Sequence, residues 1–177
     1  PGRLTQWKGQ IEFLKIMEYF KNKNVVCYFV GDTKNNSYTS KLIKAIRKNN
    51  LKNECKVIDN LNTSDLKIMY FCSDVIVSAP LKPEGFGRIV AEGLAMKKIV
   101  LGYNFGGVAD QLMAIDKIHK VKPNDHLEMK KKIEKVFKLS KIRKDNLGTL
   151  SRTHIVKNFS KDKMMKAYLN LYRNKIL

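Results

Sequence analysis

The sequence has 177 residues, enough for one domain of ordinary size with its own hydrophobic core. Its 35 lysine and arginine residues against 16 aspartate and glutamate residues give a net charge of +19, but 29 of the cations are lysine, whereas nucleic-acid recognition favours arginine. No apolar stretch approaches the roughly 18 residues that span a bilayer, and no signal peptide is visible, which predicts a cytoplasmic location.

Short β-branched runs alternate with amphipathic segments along the chain. Apolar residues at helical spacing predict helices over residues 9–20, 38–48, 64–71, 87–96 and 123–139, with two more closing the chain. Strands are expected at 24–31, 54–58, 75–78 and 98–102, and a last short one at 117–122, where the pattern weakens. This alternation predicts an α/β fold, a Rossmann-like parallel sheet with helices on both faces.

Local signals refine this plan. Thr63 is predicted to cap the helix at 64–71, because its hydroxyl can accept a backbone N–H at the helix start. Three cysteines, Cys27, Cys55 and Cys72, lie in or beside apolar runs without CxxC spacing, which predicts buried, reduced thiols.

The closing helix carries an apolar stripe, made of Met165, Tyr168, Leu169 and Tyr172. The favoured interpretation is that the stripe covers hydrophobic core. The alternative is a stripe that is left partly exposed for a partner.

The most informative segment is residues 83–92, Pro-Glu-Gly-Phe-Gly-Arg-Ile-Val-Ala-Glu, which joins a predicted strand to a predicted helix. Gly85 and Gly87 permit unusual backbone angles and let a ligand come close. The unpaired N–H groups and the positive dipole end of such a helix attract phosphate oxygens. Glu84 and Glu92 are therefore interpreted as acceptors for hydroxyl groups on either side of a diphosphate.

Three segments in register resemble retaining glycosyltransferases of the GT-B fold, family 4. Glu84 and Glu92, with seven residues between them, resemble that family's paired-glutamate motif. Residues 2–9, Gly-Arg-Leu-Thr-Gln-Trp-Lys-Gly, resemble its G-R-L-x-x-x-K-G donor loop, and residues 98–101 with the double glycine at 106–107 resemble its strand-and-glycine segment. Because the loops at 3–8, 80–87 and 103–107 leave the carboxyl edge of the sheet, they are expected to converge.

The resemblance implies one half of a GT-B glycosyltransferase, a C-terminal sugar-nucleotide-binding domain over residues 1–177. The first strand, expected just before Gly2, and the N-terminal acceptor domain would then be absent from this sequence. The implied reaction transfers a hexosyl-type sugar from a nucleoside-diphosphate sugar to a glycolipid or polysaccharide precursor, with the anomeric configuration retained. The isolated half is expected to be inactive or weakly active.

The resemblance also implies roles for individual residues on the sugar side of the donor. Glu84 would be a catalytic-site residue that holds hydroxyl groups of the transferred sugar. The backbone amides of Gly85, Phe86 and Gly87 would meet the sugar or the distal phosphate. Glu92 would accept hydrogen bonds from the ribose diol.

The remaining implied roles concern the charge and the base. Arg3 and Lys8 would act in catalysis by neutralising the diphosphate, whose negative charge grows as it leaves. Backbone groups near Ile58 would contact the base, although Asn60 stands where the family often has glycine. The family implies no metal and no cofactor, and the sequence has neither an Asp-x-Asp motif nor a His/Cys cluster at ligand spacing.

Two rival classes share part of this pattern. A dinucleotide-dependent oxidoreductase would use the same sheet and helix, but the third glycine of its fingerprint falls at Val90. A basic nucleic-acid-binding module would explain the charge, but no aromatic-interleaved motif or helix-turn-helix is present. No nucleic-acid partner is therefore expected.

The densest basic stretch runs from Lys117 to Lys144. The favoured interpretation is the solvated outer face of a helix. The alternative is a patch that docks on anionic lipid, which would place the protein peripherally on the cytoplasmic face of a membrane.

Overall fold

The computed structural model describes residues 1–34 and 37–176. In this part of the chain, short strands alternate with helices as the sequence predicts. The strands are β1 (Cys27–Val30), β2 (Cys55–Ile58), β3 (Ile76–Ser78), β4 (Val100–Tyr103) and β5 (Lys120–Val121). The helices are α1 (Gln10–Met17), α2 (Ser37–Lys48), α3 (Thr63–Cys72), α4 (Arg88–Ala95), α5 (Gly106–Leu112), α6 (His126–Phe137), α7 (Lys141–Phe159) and α8 (Lys161–Ile176).

All strand pairs are parallel, which confirms the predicted α/β fold. The strands form two hydrogen-bonded groups, β1 with β2 and β3-β4-β5, rather than one continuous ladder. The N–H groups of Cys27 and Gly31 point to the β2 side and that of Ile76 points to β4. A cavity of about 680 Å³ lies between the groups, lined by residues of both β1 and β3. The chain start runs beside β1, where the Gly2 N–H donates to the Val30 carbonyl at 2.8 Å.

The helices cover both faces of the sheet, because side chains alternate between the faces along each strand. On β4, Leu101 and Tyr103 join the core cluster that includes α1, α2 and α6. Val100 joins the opposite cluster, with residues of α3, α4, α5 and α7. Gly93 lets α4 lie close to the sheet, since a Cβ there would stand 2.7 Å from a methyl group of Val100.

The imidazole of His119 is a polar group buried in this core. The His119 side chain is fully buried, with Nδ1 2.8 Å from the Val100 carbonyl and Nε2 3.2 Å from the Ser151 hydroxyl. Since a carbonyl can only accept, Nδ1 carries the proton and Nε2 accepts from the serine. Burial lowers the pKa of His119, so the ring is held in its neutral form.

The predicted cap of α3 is wrong, and the prediction for the cysteines holds in part, since all three are free but only one is buried. The cap of α3 is Asn62, whose side chain accepts the Asp65 N–H, so Thr63 is the first helical residue instead. Of the three cysteine thiols, only that of Cys55 is fully buried, and Cys72 is exposed at the carboxyl end of α3. The apolar runs around these positions could not show which way each side chain faces.

The closing helix also departs from its favoured interpretation. The apolar stripe of α8 is about half exposed, at 46% for Met165, 53% for Tyr168, 49% for Leu169 and 64% for Tyr172. Its principal contacts are with α7. The stripe therefore covers little core. Among the described residues, no helix is long and apolar enough to cross a bilayer.

Candidate functional site

Three loops at the carboxyl edge of the sheet are tied together by backbone hydrogen bonds. The Leu81 N–H, after β3, donates to the Trp7 carbonyl at 2.7 Å. The Gly107 N–H, after β4, donates to the Glu84 carbonyl at 2.8 Å. The loops at 3–8, 80–87 and 103–107 thus meet around Glu84.

Glu84 and Lys8 form a direct ion pair, although they lie 76 positions apart in sequence. The Glu84 side chain is only 7% exposed and that of Lys8 only 23%. Lys8 engages Oε1, whereas Oε2 is buried and has no hydrogen-bond partner among the described residues. A buried carboxylate oxygen is costly to leave unpaired, so Oε2 is a candidate acceptor for a ligand hydroxyl.

The indole ring of Trp7 contacts two cations. The Lys8 ammonium is 4.6 Å from the centroid of this ring and the Arg3 guanidinium carbon is 5.8 Å from it. Both distances fall within the range of cation–π attraction. Trp7 thereby helps to hold Arg3, which is otherwise exposed, near the Lys8–Glu84 pair.

The double glycine is required by backbone packing. Gly106 has φ of 56°, and a Cβ there would stand 2.7 Å from the Glu84 carbonyl oxygen. A Cβ on Gly107 would stand 2.7 Å from the carbonyl carbon of Gly85 and closer still to its oxygen. These glycines therefore let the start of α5 press against the loop that presents Glu84.

The loop before α4 is held in place where it meets the helix. Gly87 caps α4 with φ of 79°, a left-handed conformation that favours glycine. The side-chain amide of Gln111, fully buried on α5, donates to the Phe86 carbonyl. The Phe86 ring is 42% exposed, and a Cβ on Gly85 would meet nothing within 4 Å. This part of the loop is thus open to a ligand.

Glu92 lies on the second turn of α4 between two donors. The Tyr70 hydroxyl donates to Oε2 at 2.8 Å, and Arg88 donates to Oε1 at 3.1 Å. The Glu92 side chain is 37% exposed. Burial, together with the bond to Glu92, raises the pKa of the Tyr70 phenol, which therefore stays protonated as a donor.

Ile58 is the last residue of β2, and its carbonyl accepts the Gly31 N–H at 3.1 Å. Its predicted contact with a base stays a prediction. The large cavity between β1 and β3 is lined by Lys8 and Tyr70 but not by Glu84 or Glu92, so we place the candidate site at the loops instead. Among the residues that the structure describes, no three His, Cys, Asp or Glu side chains are grouped to hold a metal ion.

Three residues of the site were not identified from the sequence: Trp7, Tyr70 and Gln111. Each supports a predicted residue. Trp7 contacts Arg3 and Lys8. Tyr70 donates to Glu92, and Gln111 donates to the 84–87 loop. The sequence does show an aromatic residue, Trp7, in the donor loop. The contacts of Tyr70 and Gln111 come from distant parts of the chain, which spacing alone does not reveal.

Comparison with known proteins agrees with this fold. A glycosyltransferase from Rickettsia africae matches 98% of this chain and 46% of its own length, with 30% identity and a TM-score of 0.88. Anabaena HepE, solved with UDP-glucose, matches 98% of the chain and 47% of its own length, with 18% identity and a TM-score of 0.83. The trehalose synthase of Pyrococcus horikoshii is 27% identical over 180 residues, covering 96% of the chain and 42% of that protein.

The parallel sheets, the helices on both faces and the loop cluster at the carboxyl edge define one half of a GT-B glycosyltransferase. The family model of the glycosyl transferases group 1 matches residues 1–149, and the chain belongs to this family. The chain spans less than half the length of the relatives described above.

Proposed function

We propose that this chain is the donor-binding half of a retaining glycosyltransferase, which moves a sugar from a nucleoside-diphosphate sugar to a glycolipid or polysaccharide precursor. The observation that carries the proposal is the buried Glu84 carboxylate, with one oxygen held by Lys8 and the other unpaired among the described residues. Held by Lys8 at one oxygen and, in the described part of the chain, without a partner at the other, this carboxylate would accept hydroxyl groups of the transferred sugar.

The cations would stabilise the departing diphosphate. Lys8 has three donor hydrogens, so it can hold Glu84 and still donate to a phosphate or sugar oxygen. Arg3 contacts the same Trp7 ring, and the N-terminus of α4 adds the positive end of a helix dipole. Cations and N–H groups placed where negative charge develops lower the barrier to transfer, and we propose that they do so without a metal ion or another cofactor.

The rest of the donor would extend along α4. The backbone amides of Gly85, Phe86 and Gly87 would meet the sugar or the distal phosphate. Glu92 would accept the ribose hydroxyls, and backbone groups near Ile58 would contact the base. HepE, which has the same fold, was solved with UDP and with UDP-glucose, and this likeness supports a sugar nucleotide as the ligand.

In the whole protein, an N-terminal domain would supply the acceptor site, and the separate chain would turn over slowly because it provides half of the cleft. We place this activity in the cytoplasm. For residues 117–144, docking on a membrane stays the alternative to the favoured solvated helix face. Lys131, Lys135 and Lys138 are exposed there, so co-sedimentation with anionic vesicles would reveal docking on lipid, and its absence would favour the solvated helix face.

A thermal-shift panel of UDP, GDP and ADP sugars tests the proposal. We expect saturable stabilisation by at least one of them, weakened in Glu92→Ala and unchanged in a matched exposed variant, Glu18→Ala. Stabilisation by oligonucleotides alone, with steep salt dependence, would contradict the proposal. Retention of configuration is tested by the anomeric NMR signal of the product formed by the whole protein.

A further inference from the structure

The Glu92 carboxylate receives two hydrogen bonds of very different character. Tyr70 is 3% exposed, so its bond to Oε2 is partly shielded from water. The Arg88 side chain is 86% exposed, so its bond to Oε1 is open to solvent and to competition by a ligand. Hydrogen bonds to charged groups are stronger than neutral ones, and shielding preserves that strength. The Tyr70 bond is therefore the one that fixes the carboxylate.

Tyr70 itself is fixed by packing. It belongs to the core cluster shared by α3, α4 and β3, which includes Ile76, Val90 and Leu94. Its hydroxyl cannot swing away without moving the ring out of this cluster. A rigid donor on α3 thus holds an acidic side chain on α4.

We propose that Tyr70 is a positioning residue for donor binding, which sets the Glu92 carboxylate in the orientation that receives both hydroxyls of a nucleotide ribose. This inference rests on the proposed function and adds a residue that selects for the ribose diol. A carboxylate has about four acceptor sites. Tyr70 and Arg88 occupy one each, which leaves two for the two hydroxyl groups.

A specific consequence follows for ligands that lack the diol. A site built to bond a hydroxyl rejects the analogue without it, because its polar group is then left unpaired. Tyr70 strengthens this discrimination by preventing the carboxylate from turning toward solvent. Removal of the Tyr70 hydroxyl should therefore weaken binding of a ribonucleotide much more than binding of its dideoxy analogue.

The experiment compares UDP with 2′,3′-dideoxy-UDP by isothermal titration of the unmodified chain, Tyr70→Phe, Glu92→Gln and the double variant. Tyr19→Phe, which removes a hydroxyl from a tyrosine that is 48% exposed, is the control. We expect Tyr70→Phe to weaken UDP binding about tenfold, the usual loss for one hydrogen bond to a charged group. Dideoxy-UDP should lose less than twofold, and Tyr70→Phe should add nothing further in the Glu92→Gln background.

Each outcome supports or overturns the proposed role of Tyr70. A selective loss of UDP binding supports the role of Tyr70. Equal weakening of both ligands would show a merely structural role, and unchanged UDP binding would show no role, so either result overturns the inference. Failure of the unmodified chain to bind any nucleoside diphosphate would instead overturn the proposed function, and this inference with it.

Discussion

The contact between α5 and the loop that presents Glu84 makes Gly107→Ala the most informative substitution for the architecture of the site. A Cβ at this position would stand 2.7 Å from the Gly85 carbonyl carbon and 2.9 Å from the Phe86 Cα. Relief of the clash needs a backbone shift of about 1 Å, and overpacking of this kind costs about 1–3 kcal/mol. The bond from the Gly107 N–H to the Glu84 carbonyl would be strained as well, at about 1 kcal/mol.

The summed cost of about 3 kcal/mol should lower the melting temperature by about 6–12 °C in a domain of this size. Thermal unfolding by circular dichroism measures it. Gly85→Ala is the matched stability control. Gly85 lies on the other side of the same contact, and its new methyl group would meet nothing within 4 Å. A Gly107→Ala variant that melts within 2 °C of the unmodified chain would refute the reasoning.

Three further outcomes are expected. Lys8→Ala removes the cation beside buried Glu84 and should lower the free energy of unfolding, measured in urea, by about 1–3 kcal/mol. The control Lys15→Ala, at an exposed position, should lower it hardly at all. Equal effects of the two substitutions would contradict the ion pair. The pKa of His119 is lowered by burial, so the unfolded chain takes up a proton near its ordinary pKa of about 6.5 while the folded chain does not. Stability should therefore fall as pH drops from 7.5 to about 5.5, and His119→Gln should flatten this slope; the same slope in both proteins would contradict a neutral buried ring. Gly93→Ala gains about 1 kcal/mol of helix propensity but should lose more by overpacking β4, so a net rise in melting temperature would contradict the close packing of α4.

Much of the fold could be predicted because its signals are local. Each of the five strands overlaps a range predicted from the sequence, and the cap of α4 falls at Gly87, where a left-handed residue is needed. The sequence could not predict that the strands form two hydrogen-bonded groups. Strand pairing depends on the distances between strands across the whole domain, which local signals do not give. Likewise, the stripe of α8 showed an apolar face without showing what covers it.

For the candidate site, the sequence predicted that three loops meet, but it did not show the side-chain contacts or the supporting residues Trp7, Tyr70 and Gln111. Sequence motifs selected Glu84 and Glu92 as one pair and Lys8 in a different segment. The ion pair between Glu84 and Lys8 and the support of Glu92 by Tyr70 arise from long-range approach of loops and helices. The double glycine has a packing role in the structure, which its sequence pattern alone did not distinguish from a ligand contact.

The most direct test of the central claim is isothermal titration of Glu84→Gln with a sugar nucleotide and with the corresponding nucleoside diphosphate. If Glu84 accepts the hydroxyl groups of the transferred sugar, the substitution should weaken binding of the sugar nucleotide about tenfold, the usual loss for a hydrogen bond to a charged group. Binding of the nucleoside diphosphate should change less than twofold. Equal affinities of Glu84→Gln and the unmodified chain for the sugar nucleotide would contradict the account.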